Sequence, residues 1–260
     1  MTISAIEKLR KNRFLFEELV KRDFKNKYKG TLLGIGWSLL SPLLMLLVMA
    51  MVFTRFFGRD TPHYVIYMFS GLICYNFFAD ATKAGMTSIV GNAGIFTKVN
   101  VPKYLFLLAK NVQTFINFAL ILVVYFIFVA FDPGLHFNWR YLLLLYPICC
   151  EVLFNIGVSM ILSALFVFFR DLKYLYDVLL RLTMYMCAIF YNVNKFSVRG
   201  QELFLFNPVY LFIRYFRMIV IESAIPSPLF HLRMLLNVVI VLSLGSRLYK
   251  YYNSKFLYYL

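Results

Sequence analysis

Six stretches of the chain, roughly 32–57, 64–84, 104–131, 141–169, 174–192 and 229–249, are long and apolar enough to cross a hydrocarbon core, which takes about 20 helical residues. In lipid every backbone amide and carbonyl must find its partner inside the protein, so stretches of this kind fold as helices. Composition agrees: 62% of the 260 residues are hydrophobic and only 15% are charged, against about 25% charged in soluble domains. These features predict an all-α integral membrane protein with six transmembrane helices. The second stretch is the least apolar, with Asp80 and Lys83 at its end, and the third and fourth exceed the bilayer and so tilt or project beyond it.

Charge sets the orientation. The net charge is +15, which in a soluble chain would suggest nucleic acid; here nine of the 27 basic residues precede the first apolar stretch, the mark of cytoplasmic loops. With the N-terminus inside, the cytoplasmic segments hold 18 basic residues and the opposite loops hold 7, so both termini are predicted to be cytoplasmic and no nucleic-acid partner is implied. The first 30 residues lack an apolar signal core, so the first spanning helix serves as its own uncleaved insertion signal.

Two segments fall outside a plain hairpin bundle. In residues 1–29, Phe16, Leu19, Val20, Phe24 and Tyr28 recur at helical spacing with Lys21, Arg22, Lys25 and Lys29 on the other faces, the pattern of an amphipathic interface helix. Lys21, Arg22, Lys25, Lys27 and Tyr28 are its candidates for lipid-headgroup contact. A helix packed on another element is the alternative. The remainder, 30–260, reads as one transmembrane domain with an external region at about 193–228. There the run Val209–Ile221 is too short to cross and suits a re-entrant helix, or one lying on the outer surface. Pro208, Pro226 and Pro228 fit its boundaries.

The catalytic inventory is nearly empty. No phosphate-binding Gly-Lys loop, His-Glu-x-x-His or Gly-x-Ser-x-Gly occurs, and His63, His136 and His231 lie far apart. Cys74, Cys149, Cys150 and Cys187 sit in apolar stretches as small hydrophobes, so no catalytic or metal residue is assigned. Asp177 and Arg181 are spaced to neutralise each other on one helix face, and Glu151 stands alone in the fourth span. Gly30, Gly34 and Ser38 would make a smooth helix face for close packing, and Pro42 a kink beyond it. Aromatics crowd the spans: Trp37, Phe53, Phe56, Phe57, Tyr67, Phe69, Tyr75, Tyr185, Phe190 and Tyr191. They form interfacial belts and lipid-facing packing, or they line a conduit whose ring faces stack on sugars.

The order of features resembles the membrane subunits of polysaccharide-export ABC transporters, those for O-antigen, capsule or wall teichoic acid. The resemblance rests on Leu-Val-Lys-Arg-Asp-Phe-Lys-Asn-Lys-Tyr-Lys-Gly at 19–30, on Leu33-Gly34-x-x-Trp37-Ser38-x-x-x-Pro42, on Phe169-Arg170-Asp171-Leu172 and on Asn207-Pro208, and it covers essentially the whole chain. It implies a homodimer joined to two copies of a separate nucleotide-binding ATPase, which binds the ATP and Mg, while this chain carries no cofactor. It implies a polyprenyl-diphosphate-linked glycan as substrate and membrane lipids as surroundings. It also makes Gly91–Lys103 a coupling loop, with Asn92, Phe96, Lys98, Val99, Asn100 and Pro102 against the ATPase. The external stretch becomes a gate with Asn207, Pro208, Arg214 and Arg217, and the outer basic residues Lys195, Arg199, Arg214 and Arg217 could serve anionic glycan or diphosphate. An ABC permease for a drug or lipid, an ion-coupled carrier and a membrane enzyme acting on a polyprenyl lipid are the alternatives; the last would need clustered inner-loop Asp or His.

Overall fold

The computed structural model describes residues 12–57, 61–96 and 101–259, without the side chains of Lys27, Tyr28, Ile35, Phe56, Phe57, Lys195 and Leu257. Among these residues there is no strand. In order, the helices are α1 (Arg13–Tyr28), α2 (Trp37–Phe57), α3 (Tyr64–Thr87), α4 (Ala93–Phe96), α5 (Tyr104–Phe131), α6 (Leu145–Phe168), α7 (Leu172–Met186), α8 (Val198–Phe204), α9 (Pro208–Val220), α10 (Pro228–Tyr252) and α11 (Phe256–Tyr259).

Five described helices are long and apolar enough to cross a membrane: α2, α3, α5, α6 with the turn before it, and α10. The expected span 174–192 is not among them. Its helix α7 has 15 residues, about 22 Å at 1.5 Å per residue, and stops at Met186. Ala188, at φ +48°, is in the left-handed region and cannot continue the helix. The pair α8 and α9, bent by 107°, makes a sixth only if counted as one span.

α3 sits at the centre, against α2, α5, α6 and α9. That placement explains why it is the least apolar span: 78% of its apolar window is buried in protein, against 11% for α2 and 17% for α10, which lie at the periphery of the bundle. Polar side chains such as Ser70 and Thr82 then bond back to α3's own carbonyls. Glycines set the closest crossings. A Cβ on Gly157 of α6 would lie 2.9 Å from the backbone of Leu242, and one on Gly245 would lie 2.5 Å from the Gly157 carbonyl oxygen, so α6 and α10 meet backbone to backbone. The expected packing face at Gly30, Gly34 and Ser38 does not form. Gly30 (φ +79°) and Gly34 (φ +52°) occupy left-handed positions before α2 begins, with open space where a side chain would be.

The external run forms α9. The Asn207 side chain accepts from Val209 N at 3.1 Å and Pro208 occupies the first turn, which fixes the start of the helix. Tyr210, Phe212, Tyr215, Phe216 and Arg217 of α9 are each at most 5% exposed, so the helix is wedged into the bundle and does not lie on its surface.

Candidate functional site

α7 and the segment after it run antiparallel along α3, tied by tyrosine hydroxyls. Tyr176 Oη donates to Thr82 Oγ1 at 2.6 Å and Tyr75 Oη to Leu180 O at 2.6 Å. Beyond the end of α7, Tyr67 Oη donates to Tyr191 O and Tyr64 Oη to Phe190 O, both at 2.8 Å. Thr82 to Tyr64 is about 27 Å of helix, close to the roughly 30 Å of a hydrocarbon core. The stretch expected as a continuous helix is thus a short helix extended by an irregular segment, with Cys187, Ala188 and Ile189 fully buried. Asp177 does not pair with Arg181; its carboxylate bonds Lys83 of α3 at 2.7 Å, because α7 turns that side chain toward the neighbouring helix.

Irregular backbone buried inside a helical bundle needs donors from the protein. Arg217 supplies them. Its Nη1 donates to Ala188 O (3.0 Å), its Nη2 to Ile189 O (3.3 Å) and Tyr67 O (3.1 Å), and its Nε to Tyr67 O (3.3 Å). The guanidinium also lies over the Tyr67 ring, 3.4 Å from its centroid. Gly71 makes the space, since a Cβ there would sit 2.9 Å from Nη2. Asn207 Nδ2 donates to Met186 O at 3.2 Å, so the residue that caps α9 also closes the end of α7. Left-handed backbone at a non-glycine residue costs about 1–3 kcal/mol, and this web of bonds holds Ala188 there.

Of the basic residues expected to serve an anionic substrate, Arg214 and Arg217 are therefore already engaged within the protein, and the side chain of Lys195 lies outside the described residues. Arg217 is turned inward, Arg214 donates from Nη1 and Nη2 to the two carboxylate oxygens of Glu222, and Arg199 is exposed on α8. Beside the clasp lies a polar pocket of about 340 Å³ lined by Tyr67, Asn192, Asn194, Tyr210, Arg214 and Glu222.

The aromatic candidates divide. Tyr67 and Tyr75 are braces, and Phe69 packs edge-on against Tyr125 and Phe128 on the far side of α3. Phe53 stacks on Phe190 at 4.8 Å, Tyr185 reaches the same ring at 6.5 Å, and Tyr191 Oη bonds Tyr185 O. Trp37 and Tyr185 are exposed. The side chains of Phe56 and Phe57 lie outside the described residues.

At the opposite end of α3 the N-terminal segment is anchored. Leu19 of α1 is buried against the foot of the bundle, with Leu15, Phe16 and Val20 beside it. Its apolar face thus packs on protein, while Lys21 and Lys25 stay exposed. Arg22 turns to Asp23 (2.8 Å) and to Asn92 Oδ1 (2.8 Å), and Asp23 also accepts from Lys110 of α5 at 3.1 Å. Asn92 donates on to Ser88 O, Phe96 meets Phe106 edge-on at 4.7 Å, and the Pro102 carbonyl accepts from Leu105 N. Lys98, Val99 and Asn100, with the side chains of Lys27 and Tyr28, lie outside the described residues.

Sequence reasoning missed Asp23, Lys110, Tyr64, Gly71 and Ala188. Asp23 carried a signal, being the single acid in a run of lysines and arginines at 21–29. The others carried none, because their roles depend on which helix lies opposite.

Residues 15–221 match the ABC-2 type transporter family. The O-antigen export system permease protein RfbA of Myxococcus xanthus is 27% identical over 228 residues, 86% of this chain and 87% of its own. A protein of the same name from Klebsiella pneumoniae is 28% identical over 202 residues, 75% of this chain and 77% of its own. A match over most of its length, carried by a bundle of membrane-crossing helices, places this chain in the ABC-2 type transporter family.

Proposed function

We propose that the chain is the membrane subunit of an ATP-driven exporter, moving a polysaccharide linked to polyprenyl diphosphate from the cytoplasmic to the outer face of the bacterial plasma membrane. Similarity over 86% of the chain to a protein named as an O-antigen export permease carries this reading. O-antigen, capsule and teichoic acid are the substrates of this chemistry. The working unit is a homodimer with two nucleotide-binding subunits, which supply ATP hydrolysis; this chain is not an enzyme by itself. Both termini are cytoplasmic, as the basic residues favour. α1 and the segment around Asn92 and Phe96 then face the ATPase, and α8 with α9 gates the outer end. The rings of Phe53, Tyr185, Phe190 and Tyr191 offer sugars broad, weak contact along the path.

Deletion of the gene in a polymer-producing strain tests the reading. Surface polymer is expected to disappear, lipid-linked polymer to accumulate inside, and the wild-type gene to restore export. Unchanged surface polymer would sink the proposal, and loss of a different lipid or drug efflux would favour a permease for that substrate.

A further inference from the structure

Arg217 has an unclaimed counterpart. Glu151 of α6 has no exposure, and neither of its carboxyl oxygens has a hydrogen-bond partner among the described residues. One turn further along α6, both polar ends of the buried Asn155 amide are equally without partners. A carboxyl group in a dry core is costly unless something neutralises or bonds it. Every hydrogen bond drawn from Arg217 ends on backbone carbonyls, so it does not supply that partner in this conformation.

The two groups nevertheless share one track. Nη2 of Arg217 lies against Gly71, and Phe154 of α6 meets Phe78 of α3 at 6.0 Å, so Glu151, one turn before Phe154, falls beside the stretch of α3 one turn before Phe78, at Cys74. Moving one turn along α3, from Gly71 to Cys74, is a shift of about 4.5 Å for the end of a flexible arginine side chain. α9 and α6 are also in direct contact there through Phe212 and Phe154, at 5.7 Å. Ala188, held in left-handed backbone by the clasp, marks the segment that would relax once the guanidinium left.

We propose that Glu151 is a positioning residue, the second station of Arg217: when the outer end opens, Arg217 releases the carbonyls of Ala188 and Ile189 and pairs with Glu151. The exchange keeps the buried cation partnered in both states and frees the irregular segment only in one. It rests on the exporter reading, which supplies the cycle that drives it.

The full chain, assembled with its ATPase partner in lipid nanodiscs, tests this through the native thiol of Cys187, fully buried beside Ala188. Labelling with N-ethylmaleimide, located by mass spectrometry, is expected to rise at least fivefold when vanadate traps the ATPase. Glu151→Gln keeps the shape and removes the charge. It is expected to reach the membrane normally, hold Cys187 at its resting level under vanadate, and lower export at least tenfold. Glu151→Asp is expected to recover part of both. Vanadate-dependent labelling and export in Glu151→Gln equal to wild type would overturn the exchange. So would failure of Glu151→Gln to reach the membrane, because a carboxyl group without a resting partner is not needed for folding. Wild-type protein that neither exports polymer nor couples to an ATPase would instead overturn the exporter reading itself.

Discussion

The guanidinium of Arg217 lies over the ring of Tyr67 at 3.4 Å and donates twice to the carbonyl oxygen of that same residue. One side chain thereby fixes α9 to α3 and, through Ala188 and Ile189, fixes the break after α7 to both. Hydrogen bonds to a charged group contribute about 1.5–3 kcal/mol each, and a donor lost from a buried site leaves its acceptors unsatisfied. Arg217→Leu is therefore expected to cost at least about 3 kcal/mol, lowering the thermal midpoint of the detergent-purified chain by about 10 °C. A midpoint within about 2 °C of wild type would show that the carbonyls find other donors.

Gly71 is the complement of that clasp. An alanine Cβ would stand 2.9 Å from Nη2 of Arg217 and 3.2 Å from Cγ2 of Ile189, so one of them must move. Gly71→Ala is expected to destabilise by about 1–3 kcal/mol. The loss should largely vanish when the change is added to Arg217→Leu, since the clash is with the removed side chain. Full additivity in the double-mutant cycle would count against this origin.

Asp23 links α1 to the foot of α5. Its carboxylate is nearly buried between Arg22 and Lys110, and Arg22 reaches on to Asn92. Asp23→Asn is expected to speed hydrogen exchange across 13–28 while leaving α3 and α6 protected. Export should fall several-fold while ATP hydrolysis by the complex persists. Unchanged exchange in 13–28 would show that Leu19 and its neighbours alone hold the helix.

Tyr75 and Tyr185 separate bracing from conduit. Tyr75 is buried and its hydroxyl bonds Leu180 O, so Tyr75→Phe should cost about 1 kcal/mol and leave export intact. Tyr185 presents its ring to the outside of the bundle. Tyr185→Leu should keep the thermal midpoint and reduce polymer export several-fold. Full export by that variant would reduce the ring to lipid-facing packing.

Orientation is checked by reporter fusions. Fusions at Ser254 are expected to report the cytoplasm and fusions within α8 at Gly200 the outer side, on the strength of the basic residues. A cytoplasmic signal at Gly200 would reverse the assignment of the gate.

Hydropathy and helix-boundary chemistry were legible without coordinates. The run 104–131 coincides with α5, because Lys110 is its one charged residue before Asp132, and Asn207-Pro208 marks the start of α9 because an Asn side chain can cap a helix whose first turn takes Pro. Tertiary packing alone decided that 174–192 breaks at Met186, that Asp177 meets Lys83, that α1 turns Leu19 toward α5 and that Arg217 points inward. An apolar run records only that a segment leaves water. Whether its backbone stays helical depends on which donors stand opposite, and here those donors come from Tyr64, Tyr67 and Arg217, between about 30 and 130 positions away in sequence.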